Sequence, residues 1–201
     1  MEKGNAIYLP ENAFCEYALV ACPAPGVYGK VMAEKQLFFE EYKEKTAVST
    51  KPYIVIAGFL AREAMEETFS RWIQRICNMQ ESFTVTLNNY SGFQPHTIYL
   101  RVQNAGPFQQ LAKELKVVDE YIGSCSCPPM KFTARPHVSI AKQLSEAVYG
   151  KALTQYAHKT FHETFVVNEL MLQKRKHCLD TCKSINVFGL QPQRSTVYNS
   201  F

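Results

Sequence analysis

Two hydrophobic periods alternate along the chain. Runs rich in β-branched and aromatic residues predict strands: "YALVAC" at Tyr17, "YIVIAGF" at Tyr53, "FTVTLNNY" at Phe83 and "HTIYLRV" at His96. Further on, "HVSIAK" at His137, "FVVNELMLQ" at Phe165 and "SINVFGL" at Ser184 read the same way. Gly92 to Pro95 is a turn signal, so the strands on either side form a hairpin. Between the strands the period lengthens to that of a helix. Met65, Phe69, Trp72, Ile73 and Ile76 share one stripe, as do Val148, Ala152, Leu153 and Tyr156 behind Ser145 as N-cap. "VYGKVMAEKQLFFEEYKEK" carries Val31, Phe38 and Tyr42. "PFQQLAKELKVVDEYIG" carries Phe108, Leu111, Leu115, Val118 and Ile122 as one helix, from Pro107 to near Gly123.

The strand and helix patterns repeat. Lys51-Pro52-Tyr53-Ile54-Val55-Ile56-Ala57 falls on Arg135-Pro136-His137-Val138-Ser139-Ile140-Ala141. In the same frame Leu60 falls on Leu144, Phe69 on Leu153 and Trp72 on Tyr156, and with a two-residue slip "ESFTVTL" falls on "ETFVVNEL". Each copy reads strand, helix, strand, and two copies predict a pseudo-symmetric pair, since a solenoid needs at least three repeats. The expected architecture is α+β: two pseudo-symmetric βαβ-like lobes with mainly antiparallel sheets around a central groove. Residues 1–192 form a single bilobal domain, with motif repeats at about 51–90 and 135–173, and 193–201 are a polar tail.

Composition narrows the setting. A length of 201 residues, 46% of them hydrophobic and 20% charged, suits one soluble globular unit with a sizeable core. A net charge of +4 admits an anionic ligand but is too small for a protein that coats nucleic acid. No apolar run reaches the length of a membrane span, so no membrane association is expected. Seven cysteines, an odd number without C-x-x-C spacing, argue against a disulfide framework or structural zinc and for a reducing, cytoplasmic setting.

The candidate chemistry lies in the repeat. Residues two apart in a strand face one side, so His137 and Ser139 point together while Val138 and Ile140 face the core. An imidazole moves a proton and a hydroxyl donates to a non-bridging phosphate oxygen. A second such pair across a pseudo-two-fold frames a phosphodiester with one base and one acid. "RPHVSIA" resembles the H-x-[S/T]-x motif, flanked by apolar residues, of the 2H phosphoesterases, which include 2′-5′ RNA ligase-like proteins and 2′,3′-cyclic phosphodiesterases. The resemblance covers roughly Tyr17 to Leu190. It implies a two-lobed fold with one motif per lobe on a shared groove, and chemistry without metal or other cofactor. The implied substrates are RNA ends or nucleotides with 2′,3′-cyclic phosphates or 2′-5′ linkages.

The first motif departs from that pattern. "KPYIVIAGF" has Tyr53 in the histidine slot and Val55 in the hydroxyl slot. A phenol with a pKa of about 10 is a poor base at neutral pH, and valine donates nothing. Activity is therefore expected to be impaired. The alternative is an inactive relative that binds RNA or a nucleotide, or that serves as a protein-interaction module. His96 is a further candidate partner, the bland reading being a strand-edge histidine beside a proline turn. Arg101 and Lys142 lie near the relevant strands and are candidates for the phosphate or plain solvated charges. The basic run Lys174 to His177 reads as a hairpin loop or as a contact for an RNA backbone.

Overall fold

The computed structural model describes residues 14–93, 96–176 and 180–193. Gln94 and Pro95 of the expected turn, His177, Cys178 and residues 194–201 of the expected tail lie outside the described residues. The strands are β1 (Phe14–Ala21), β2 (Ile54–Arg62), β3 (Phe83–Phe93), β4 (Thr97–Val102), β5 (Lys131–Phe132), β6 (His137–Ala141), β7 (His162–Val167), β8 (Glu169–Arg175) and β9 (Lys183–Gly189). The helices are α1 (Pro25–Tyr42), α2 (Lys45–Ser49), α3 (Glu66–Cys77), α4 (Gly106–Glu114), α5 (Lys116–Ser124) and α6 (Glu146–Tyr156).

All described strands join one antiparallel sheet in the order β7-β3-β4-β6-β2-β1-β8-β9, with β5 added beside β2. The expected strand from Phe165 is two strands. Asn168 alone separates β7 from β8, yet they lie six places apart in the order. A flat sheet would hold them roughly 29 Å apart at ~4.8 Å per strand. Two Cα steps span at most about 7.6 Å, so the sheet curls until its far ends meet. Hydrogen bonds seal that seam: Leu190 N–H donates to Asn168 O at 2.8 Å and Ser82 N–H to Gln191 O at 2.7 Å.

Opposite the seam, the two halves join at β2 and β6 through the pair Ile54↔Val138. Helices α1, α2 and α6 pack on the β6 half, whereas α3 and α4 pack on the β2 half. Phe69 of α3 sits edge-on to Tyr17 and Phe59, at 4.9 and 5.3 Å between ring centroids. Tyr156 of α6 packs on Phe38 and Tyr90. Burial on this scale contributes about 1.5–3 kcal/mol per large side chain, so each half carries its own helical cover.

Several details differ from the pattern read along the chain. The long helix from Pro107 breaks at Leu115 into α4 and α5. In the helical part of the repeat the frame is off by one residue. Phe69 is buried but Leu153 is 36% exposed, and Tyr156 is buried but Trp72 is 36% exposed. Pairing Phe69 with Ala152 and Ile73 with Tyr156 matches buried to buried. The post-helix strands β3 and β7 are also neighbours in the β6 half, so the symmetry holds for the motif strands and fails beyond the helices. Ser145 does cap α6, accepting from Val148 N–H at 3.4 Å.

Candidate functional site

The register Ile54↔Val138 fixes the geometry of the two motifs. In an antiparallel pair the flanking residues fall opposite one another, so Tyr53 faces Ser139 and Val55 faces His137 across the join. Ile54 and Val138 are fully buried, and by alternation the four motif positions share the other face. Tyr53, Val55 and His137 are half-buried and Ser139 is 8% exposed. The sheet thus places the His slot of each copy beside the hydroxyl slot of the other.

Neighbouring strands complete this face. Tyr99 pairs with Ser139 and Arg101 with His137, and directly opposed residues point to the same side. Arg101 is exposed, and its Nε donates to Asn88 O of β3 at 3.2 Å. The rings of Phe93 and Tyr99 each lie 5.0 Å from the His137 imidazole.

Both motif strands bulge at equivalent residues. On β6, Ile98 and Tyr99 pair with Ala141 and Ser139, skipping Ile140. On β2, Leu19 and Val20 pair with Ala57 and Val55, skipping Ile56. An extra residue bends a strand and resets its alternation. The reset turns both Ile140 and Ala141 to the core, where each is fully buried. It also turns Lys142 back toward the side of His137, where its charge disfavours protonation of the imidazole.

The His137 tautomer follows from one contact. Its Nδ1 lies 2.7 Å from Arg135 O. A carbonyl only accepts, so Nδ1 carries the proton and Nε2 keeps its lone pair in the neutral ring. Burial pushes the His137 pKa down, the Arg135 bond opposes this, and Lys142 lowers it again. The ring is therefore neutral and basic at pH 7. A lowered folded-state pKa means that its stability contribution is complete above about pH 6.5 and is lost as pH falls through the folded value. Thermal melts between pH 7 and 5 are expected to show wild type losing more stability than His137→Asn. Equal losses would mean that the imidazole titrates as it does in water.

Tyr53 has the opposite character. Burial raises its pKa, Cys22 raises it further and a hydrogen bond from Gln173 opposes the shift. The phenol stays protonated, so it donates a hydrogen bond and does not act as a base. Val55 offers only methyl groups. His96 does not join this face. Its Nδ1 donates to Leu144 O at 3.0 Å and its ring lies 5.1 Å from Tyr149, which holds it against the α6 side. Lys174 is engaged by Glu63 and Glu66, and Lys176 by Glu63, so these members of the basic run are charge-balanced. Among the described residues no cluster of three or more His, Cys, Asp or Glu is placed to hold a metal ion.

One residue beside this site escaped the reading of the chain. Lys35 of α1 is fully buried behind β6, and its Nζ donates to Ser139 O and Ile140 O at 3.0 Å each and to Thr50 Oγ1 at 3.1 Å. The signal was present: Val27, Val31, Lys35 and Phe38 form one buried stripe, with a lysine where an apolar residue belongs.

Comparison with known proteins bears on this geometry. The model of the 2′-5′ RNA ligase superfamily matches residues 32–177. E. coli LigT in its apo form has a TM-score of 0.66 at 16% identity, over 89% of this chain and 98% of that one. LigT complexed with 3′-AMP has a TM-score of 0.62 at 16% identity, over the same shares. TT0787 of Thermus thermophilus has a TM-score of 0.63 at 14% identity, over 89% of this chain and 100% of that one. These identities show a common fold. No curated protein sequence matches the chain. Among the described residues no helix is long and apolar enough to cross a membrane.

Proposed function

The chain belongs to the 2′-5′ RNA ligase superfamily, the 2H phosphoesterases, and on that premise we propose that it binds the phosphate of a nucleotide or RNA end between His137, Ser139 and Tyr53. Turnover is slow because one acid–base partner is gone. The observation that carries this reading is the Ile54↔Val138 register, which sets one intact motif beside one altered motif on a single face. That E. coli LigT has been solved with 3′-AMP, with phosphate and with ATP supports a nucleotide phosphate as ligand.

The residues divide the work. Ser139 donates to a non-bridging oxygen and Arg101 adds positive charge. His137, neutral with a free Nε2, takes a proton from the attacking water. The leaving oxygen needs a proton from the other motif, and Tyr53 with a raised pKa gives one up slowly. General acid–base groups contribute about 10²–10⁴-fold each, so a site with one of two retains ligand but turns it over at a correspondingly reduced rate.

Calorimetric titration with 3′-AMP at pH 7 is expected to show binding that Ser139→Ala weakens about tenfold, the worth of one charge-assisted hydrogen bond. His96→Ala should leave it unchanged. Absence of binding, or binding indifferent to Ser139, would remove the proposal.

A further inference from the structure

The bulges of β2 and β6 are alike in position but differ in what holds them. A bulge leaves backbone groups off the ladder, and a buried carbonyl without a donor is costly. In the first copy Ile56 O accepts from Thr133 N–H at 2.9 Å, because the chain leading into β6 runs alongside β2 as β5. The equivalent stretch leading into β2 is helical, α2, so its N–H groups are turned to its own helix. The carbonyls of Ser139 and Ile140 are met instead by the ammonium of Lys35, which reaches across from α1.

We infer that Lys35 is a positioning residue of the His137–Ser139 site: its ammonium replaces the missing strand donor and locks the bulge that aims Ser139 and Lys142. Three acceptors match its three protons, the third being Thr50 Oγ1, itself bonded to Thr46 O. Thr46 in turn donates to Lys142 O at 2.9 Å, so the network runs the length of the bulge. Among the described residues no carboxylate meets Lys35. Glu34 on α1 accepts from Tyr90, Glu163 on β7 is taken by Lys30, and the charge acting on Lys35 from β6 is the cation of Lys142. Burial first and Lys142 second bring its pKa to about 8. As pH rises through that value one of the three donor protons is lost, and with it one anchor of the bulge.

This role rests on His137 and Ser139 being the working pair, so its test uses no ligand and fails or succeeds independently of 3′-AMP binding. Carbon-13 NMR of the full chain, labelled at lysine Cε, histidine Cε1 and the backbone carbonyls, is followed from pH 6 to 10. The Lys35 Cε and the carbonyls of Ser139 and Ile140 are expected to share one midpoint near pH 8, with a matching small step at His137 Cε1. Lys35→Met should abolish the carbonyl and histidine steps, and Lys142→Met should keep them. Flat carbonyls in wild type overturn the inference, as does a step that survives Lys35→Met or vanishes in Lys142→Met. Should Lys35→Met not fold, the shared midpoint in wild type and its persistence in Lys142→Met decide the matter.

Discussion

Replacing Tyr53 by histidine and Val55 by threonine together is expected to raise hydrolysis of a 2′,3′-cyclic nucleotide by about 10²-fold or more at pH 7. The register across the join gives the reason. Position 53 lies opposite Ser139 and position 55 opposite His137, so the new imidazole and hydroxyl arrive where a second acid and a second oxyanion donor are needed. The backbone is already prepared, since Pro52 and Pro136 are both buried and both motif strands bulge at the matching isoleucine. The hydroxyl alone has less to offer, because a donor without a proton source leaves the departing oxygen unprotonated. Steady-state kcat/KM on the cyclic nucleotide checks this. A folded double variant that still binds 3′-AMP and gains nothing would show that the altered motif is not what limits turnover.

His137→Ala in that double variant is the second large effect, a fall in kcat of about 10²–10⁴-fold. His137 contributes the Nε2 lone pair that its bond to Arg135 O keeps available, and alanine removes it outside the fully buried core, because the ring is only partly buried. The loss should appear in kcat more than in KM, since Ser139 still holds the phosphate. An unchanged rate would assign the proton transfer to another group.

The motif was legible in the chain because both copies keep the same apolar frame, Ile54/Ile56 and Val138/Ile140, with a proline before it. That frame predicted one motif per copy on a shared groove, and the structure makes the two motif strands neighbours through the pair Ile54↔Val138. The break at Asn168 was not legible, because "FVVNELMLQ" keeps a strand pattern through the point where the chain crosses from one half of the sheet to the other. The split at Leu115 was hidden for a similar reason: Leu111, Leu115 and Val118 all face the core, so the stripe runs on although the helix does not. The bulges leave no mark beyond two adjacent apolar residues, Ile140-Ala141, where alternation would place one polar. Arg101 was a candidate from its place near the motif strand, but its pairing with His137 is long-range and has no local signature. His96 looked like a motif histidine only because it precedes a strand, and its position in the β3–β4 turn, with φ at 38°, gives it to α6.

A crystal structure of the protein with bound 3′-AMP tests the account most directly. The phosphate is expected within hydrogen-bond reach of His137 Nε2, the Ser139 hydroxyl and the Tyr53 hydroxyl. A phosphate held elsewhere, for instance among Lys174, Lys176 and Lys183, with the His137 face empty, would contradict it.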